Sequence, residues 1–125
     1  MKNEYIAGDL VKYLSQVVKI VEVYQDGTCY FGNETMCGQQ DCKDAEPIPL
    51  TPKILEKNGW KHKKEFGEYW FIPRNEDYEL LALDKVGEEW IVYIEENSSN
   101  FENIKFVHQL QHLLFGLGLN SEMEV

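Results

Sequence analysis

His108 and His112 are four residues apart in Phe106-Val107-His108-Gln109-Leu110-Gln111-His112, the spacing that puts two imidazoles on one face of a helix. Zinc peptidases use that spacing with a glutamate after the first histidine as the base. Here Gln109 follows, and an amide cannot take the proton, so the peptidase reading fails on its central requirement. The three cysteines are Cys29, Cys37 and Cys42, and four residues separate the last two, a spacing zinc ligands tolerate. No second ligand pair follows, so Cys29 and a distant histidine would have to complete a site, and no metal is assigned. An odd count of cysteines fits reduced thiols, with Cys29 a buried strand thiol and Cys37 and Cys42 in a loop. Glu22 and Glu79, set among apolar residues, are the candidates for acid–base work, and each is expected at a strand edge facing water. Gly116-Leu117-Gly118-Leu119 follows a helix instead of opening one, so it is not a phosphate loop, and no G-x-S-x-G elbow is present. The leading reading is of a non-enzymatic chain with no cofactor, and a metal-dependent enzyme is the third reading, behind a protein-binding and a nucleic-acid-associated module.

Charge says more than these constellations. The chain has 12 basic and 22 acidic residues, net −10. Residues 51–75 alone are net basic, with six basic and three acidic side chains, whereas residues 76–125 carry two basic and eleven acidic ones. So negative a field repels nucleic acid unless a local patch overcomes it. Lys57, Lys61, Lys63 and Lys64 are the one candidate patch, and the alternative reading is a nucleic-acid-associated module built on them. Lysines at the edge of a hairpin also keep strands from associating, which explains the run without a ligand. The leading expectation is a protein–protein interaction module. Its acidic face would run from residue 76 to 102, with Glu88, Glu89, Glu95 and Glu96 meeting a partner of basic or mixed surface and Trp70 and Trp90 adding aromatic contact.

The elements that must position these residues can be read from pattern. The 125 residues are 43% hydrophobic and 13% aromatic, enough for one domain with a buried core. No run of about 18 apolar residues is present, and no apolar segment follows Met1-Lys2-Asn3-Glu4-Tyr5, so a cytoplasmic protein without membrane association is expected. Leu10–Leu14, Gln16–Tyr24, Thr28–Phe31 and Glu46–Leu50 read as strands, with Asp26-Gly27 a tight turn. Gly32–Ala45 reads as a polar loop with at most a short strand at Thr35–Cys37. Both faces of the second strand are partly apolar, which predicts a bent strand or one shared between two sheets. Five short segments in about 45 residues suggest a bent, SH3-like half-barrel over residues 1–50. Thr51 as N-cap, Pro52 at the first helical position and Gly59 as the stop predict a short helix. Residues 65–72, 78–83 and 89–95 predict an antiparallel meander. Ser99 and Glu102 have capping-box spacing, predicting a helix from about Phe101 to Phe115. Gln111 falls inside the apolar arc of that helix and must be hydrogen-bonded, while His108 lies at the border of the arc and His112 opposite it. The fold class is α+β in one domain of 1–125, with sub-lobes 1–50 and 51–125, the second containing the short helix, the meander and a C-terminal helix packed on the sheet.

Three blocks carry a likeness: Gly8–Tyr13, Glu46–Trp60 with its PIPLT…ILEKNG pattern, and Ile104–Leu114 with VHQLQ. Their order and spacing resemble a family of small uncharacterised proteins of Bacteroides-type gut bacteria and their prophages or mobile elements. The likeness spans nearly the whole chain and leaves out the cysteine-bearing loop Gly32–Asp44. It implies a cytoplasmic accessory protein of phage or mobile-element origin and carries over no catalytic residue.

Overall fold

A computed structural model describes residues 5–64, 69–73, 79–94 and 103–125. The fold is mixed α+β. In chain order the elements are β1 (Leu10–Tyr13), β2 (Gln16–Val23), β3 (Thr28–Gly32), β4 (Cys37–Asp41), a 3-10 turn (Cys42–Asp44), β5 (Glu46–Pro47), α1 (Pro52–Lys57), β6 (Lys61–Lys63), β7 (Tyr69–Pro73), β8 (Glu79–Val86), β9 (Glu89–Ile94) and α2 (Val107–Gly116). They form two compact units: Met1–Pro49 with Phe106–Met123, and Leu50–Lys105 with Glu124–Val125. The C-terminal helix therefore belongs with the N-terminal strands and not, as expected, with the meander.

The first unit is a five-stranded antiparallel sheet in the order β4-β3-β2-β1-β5. Alternation places Val11, Val18, Ile20, Cys29 and Phe31 on one face, where with Tyr5 and Ala45 they form its core. The register of β2 against β3 shifts between Ile20 and Glu22. Ordinary alternation settles the doubly apolar strand: Val18 and Ile20 are buried, whereas Val21 and Val23 stand in solvent.

Two connections depart from the sequence reading. The β1–β2 turn is Leu14-Ser15, and both residues have positive φ, 49° and 65°, the backbone of a two-residue turn that glycine and asparagine favour. For a leucine, 71% exposed here, this costs about 1–2 kcal/mol with no packing in return. Replacing Leu14-Ser15 by Asn-Gly is expected to stabilise the protein by about 1–2 kcal/mol, read as a higher denaturant midpoint. An unchanged midpoint would show the turn to be unstrained. The polar segment expected as a loop contains β4, which pairs with β3 from Thr28↔Asp41 to Gly32↔Cys37. The hairpin closes because Asn33 Oδ1 accepts from the amides of Thr35 and Met36, and because Gly32 has no side chain. A Cβ at Gly32 would lie 2.9 Å from both Cys37 Cβ and Met36 O. Cys37 therefore lies in a strand and Cys42 opens the 3-10 turn, correcting their loop placement.

Helix α2 begins at Val107, six residues later than expected. Ile104 forms a β-bridge with Trp90, and Phe106 forms one with Pro49, so residues 104–106 are extended. Strand partners outweigh a helical pattern there. The capping pair Ser99 and Glu102 lies outside the described residues. At the other end Gly118, with φ 73°, lets Leu119 N donate to Leu114 O at 2.8 Å and Gly118 N donate to Phe115 O at 3.0 Å. This is a Schellman closure.

In the second unit α1 forms as expected. Thr51 Oγ1 accepts from Ile54 N, Pro52 opens the first turn and Gly59 closes the last. The four-stranded sheet is antiparallel in the order β6-β7-β8-β9. Trp90 is fully buried, donates from Nε1 to Leu50 O at 3.1 Å, and meets Trp70 edge-on at 5.4 Å between centroids. Both tryptophans are core residues, which removes them from the partner-facing surface where sequence placed them. Large aromatic faces cannot be read as exposed from composition alone, because they are also what a small core uses to fill volume.

Candidate functional site

Two features of the first unit bring chemistry-bearing residues together. One is buried. Asp9 is only 1% exposed, yet it is an acid. Its Oδ2 accepts from Ile6 N at 2.8 Å, and both carboxylate oxygens lie 2.8–2.9 Å from His112 Nε2. A carboxylate only accepts, so the imidazole is the donor. Burial raises the pKa of Asp9 above the usual carboxylate value, and the hydrogen bonds from Ile6 and His112 oppose that rise. The expected two-histidine face is thus split. His112 is held by Asp9, and His108 is fully buried, edge-on to Tyr5 at 4.9 Å and stacked with Phe106 at 5.9 Å. His108 Nδ1 has no hydrogen-bond partner among the described residues. Burial, with His112 nearby, pushes the His108 pKa down to about 4. Sequence placed His108 at the edge of the apolar arc. It sits inside because Tyr5, from the chain's other end, covers it.

Gln111 behaves as its position in the apolar arc requires. Its Oε1 accepts from Leu10 N at 2.9 Å, and its Nε2 donates to Gly8 O at 3.0 Å and Ser121 O at 3.1 Å. One amide ties β1, the turn before it and the segment after α2 to the helix. The Asp9–His112 pair has the form of an oriented general base. Among the described residues no nucleophilic side chain hydrogen-bonds that imidazole, and no three His, Cys, Asp or Glu side chains converge as a metal site. The chemistry the arrangement performs is to clamp α2 onto the turn at residues 6–9.

The second feature is open. A cavity of about 460 Å³ is lined by Tyr5, Ile6, Ala7, Val21, Glu22, Val23 and Tyr24. A second, of about 480 Å³, is lined by Tyr5, Asp26, Gly27, Asp41, Cys42, Lys43 and Ala45. Tyr5 is common to both. Ile6, Val21, Val23 and Tyr24 are large apolar residues standing in solvent. Glu22 accepts from Tyr24 Oη at 2.8 Å, and Asp26 Oδ1 accepts from both the amide and the hydroxyl of Thr28. Those bonds hold the Asp26 carboxyl below the usual range, so it is ionised at neutral pH. Burial and a hydrogen bond with Cys42 raise the Cys29 thiol to about 12, leaving Cys29 inert.

The remaining candidates are scattered. Glu88 is exposed at the β8–β9 turn and Glu89 is half-buried beside it. Glu95 and Glu96 lie outside the described residues. Lys61 and Lys63 are in β6, the outer strand of its sheet, Lys64 is exposed just beyond, and Lys57 on α1 donates to Val125 O at 3.1 Å. Glu22 faces water as expected, but from β2, an inner strand of its sheet and not an edge. The side chain of Glu79 is outside the described residues. Sequence reasoning missed the groove, and its one signal was the second apolar face of β2. No helix among the described residues is long and apolar enough to cross a membrane. Comparison with protein-family models, with curated proteins and with solved structures returns no match, so the geometry of the groove and the clamp carries the functional argument.

Proposed function

We propose that the protein is a non-enzymatic, acidic protein–protein interaction module, a cytoplasmic accessory protein of phage or mobile-element origin built on an SH3-like strand group. The SH3-like reading is supported by the antiparallel order β4-β3-β2-β1-β5, in which the first and last strands are neighbours and a single 3-10 turn precedes the last. The observation that carries the function is the exposed apolar surface of Ile6, Val21, Val23, Tyr24 and Tyr30, set among Glu22 and Asp26 in a chain of net charge −10. Grouped exposed apolar residues with a charged surround mark interaction sites, and the field selects a partner with basic or mixed surface.

The test is capture from a host lysate on the immobilised full chain, with nuclease treatment and washes of rising salt, followed by rebinding of the purified captured protein. The expected result is a protein retained through nuclease and released at moderate salt. Replacing Glu88, Glu89, Glu95 and Glu96 together by Gln should weaken its rebinding at low salt several-fold, roughly what loss of steering charge produces. Loss of all captured material on nuclease treatment would overturn the reading and favour nucleic acid at Lys57, Lys61, Lys63 and Lys64.

A further inference from the structure

The two cavities lined in common by Tyr5 differ in chemistry. Ile6, Ala7, Val21 and Val23 give one an aliphatic wall. Asp26 and Asp41 face the other with Lys43 as the single basic residue. An aliphatic wall gains by covering apolar side chains, about 25 cal/mol for each Å² removed from water. A pair of carboxylates with one ammonium retains net negative charge and favours a cation, most of all a guanidinium that can be held by two oxygens. One ligand satisfying both halves must carry apolar and cationic groups a few residues apart on an extended backbone.

We propose that the groove running across Tyr5 binds an extended peptide segment of a partner protein, with apolar side chains against Ile6, Val21 and Val23 and an arginine or lysine between Asp26 and Asp41. This rests on the interaction-module reading and assigns its site. Asp41 Oδ1 caps Lys43 N and Asp26 Oδ1 caps Thr28 N. An asparagine keeps each acceptor while removing the charge, so Asp26→Asn with Asp41→Asn tests the electrostatics without opening the turns. Cys42 lines the acidic half and Cys29 is fully buried, so in a Cys37→Ser background Cys42 is the accessible thiol that reports occupancy.

The experiment selects phage-displayed random dodecapeptides on the full chain, then measures the synthetic fluorescein-labelled winners by anisotropy. Enrichment of sequences joining apolar residues to Arg or Lys is expected. Binding should weaken about tenfold in Asp26→Asn/Asp41→Asn, with a flatter salt dependence, and comparably in Val21→Ser/Val23→Ser. Bound peptide should slow iodoacetamide alkylation of Cys42 in the Cys37→Ser protein. No enrichment, enrichment of acidic peptides, equal binding by the folded variants, or unprotected Cys42 would each overturn the assignment. If the groove variants still capture the lysate partner at full strength, the groove is wrong and the module reading stands. If the wild-type chain captures no protein, it is the module reading that fails.

Discussion

Replacing Gln111 by leucine is expected to destabilise the first unit by about 3–5 kcal/mol, since three backbone groups lose their partner and each buried unsatisfied group costs about 1–3 kcal/mol. The groups are Leu10 N, Gly8 O and Ser121 O. Gln111 is only 4% exposed, so water does not readily replace the amide. Leucine fills a similar volume, and the loss is therefore one of hydrogen bonds and not of packing. Glutamate in the same place can accept from Leu10 N, but it cannot donate to the two carbonyls and it buries a charge, so Gln111→Glu should be at least as costly at neutral pH. The check is a denaturant titration at unchanged slope together with hydrogen exchange at the Leu10 amide, which should accelerate strongly in Gln111→Leu. A loss under about 1 kcal/mol would show that the amide network is not a principal tie between α2 and the sheet.

How far the sequence revealed this arrangement depends on whether the cause was local. The caps of α1 are local: Thr51, Pro52 and Gly59 each act within a turn, and each was legible. The need of Gln111 for a partner was legible because an amide on an apolar helix face has no other outcome, although its partners, two of them about a hundred residues away, were not. The late start of α2 was hidden because Ile104 and Phe106 fit a helical pattern, and only their bridges to Trp90 and Pro49 make them extended. Strand β4 was hidden by composition, as Gly38-Gln39-Gln40-Asp41 has neither branched nor aromatic residues, and it is held by its hairpin and by backbone pairing. The Leu14-Ser15 turn carries no glycine to announce it. The candidate site suffered most. The groove depends on which of two apolar faces of β2 is left in solvent, which no residue type signals, and on Tyr5 returning to cover His108. The acidic and basic runs were visible because charge is additive along the chain, but burial decides which aromatics can touch a partner, and it took Trp70 and Trp90 inside.

The burial of Tyr5 and His108 makes stability fall at both ends of the pH scale. His108 has a folded pKa of about 4 against an ordinary value of 6.5. Between those values the unfolded chain binds the proton and the folded one does not, so stability is full above about 6.5 and is lost as pH falls toward 4. The loss approaches about 3 kcal/mol, from 1.36 kcal/mol for each pKa unit. The groups facing His108 are Tyr5, Phe106 and His112, and none supplies a negative charge that would hold its proton. Asp9, bonded to His112, acts in the opposite sense: its raised folded pKa lets the native state take up a proton first, which offsets part of the loss at the acid end. Tyr5 is pushed up from 10.0 to about 12, by burial first and then by the charge of Asp9. Above pH 10 the unfolded tyrosine ionises while the folded one stays neutral, so stability is present below 10 and lost as pH rises toward 12. His108→Leu is expected to abolish most of the acid slope between pH 6.5 and 4 while leaving the alkaline one, and Tyr5→Phe to do the reverse. Denaturant midpoints of the three proteins from pH 4 to 11 decide it. An acid slope of wild-type size in His108→Leu would show that the buried imidazole carries none of the acid sensitivity.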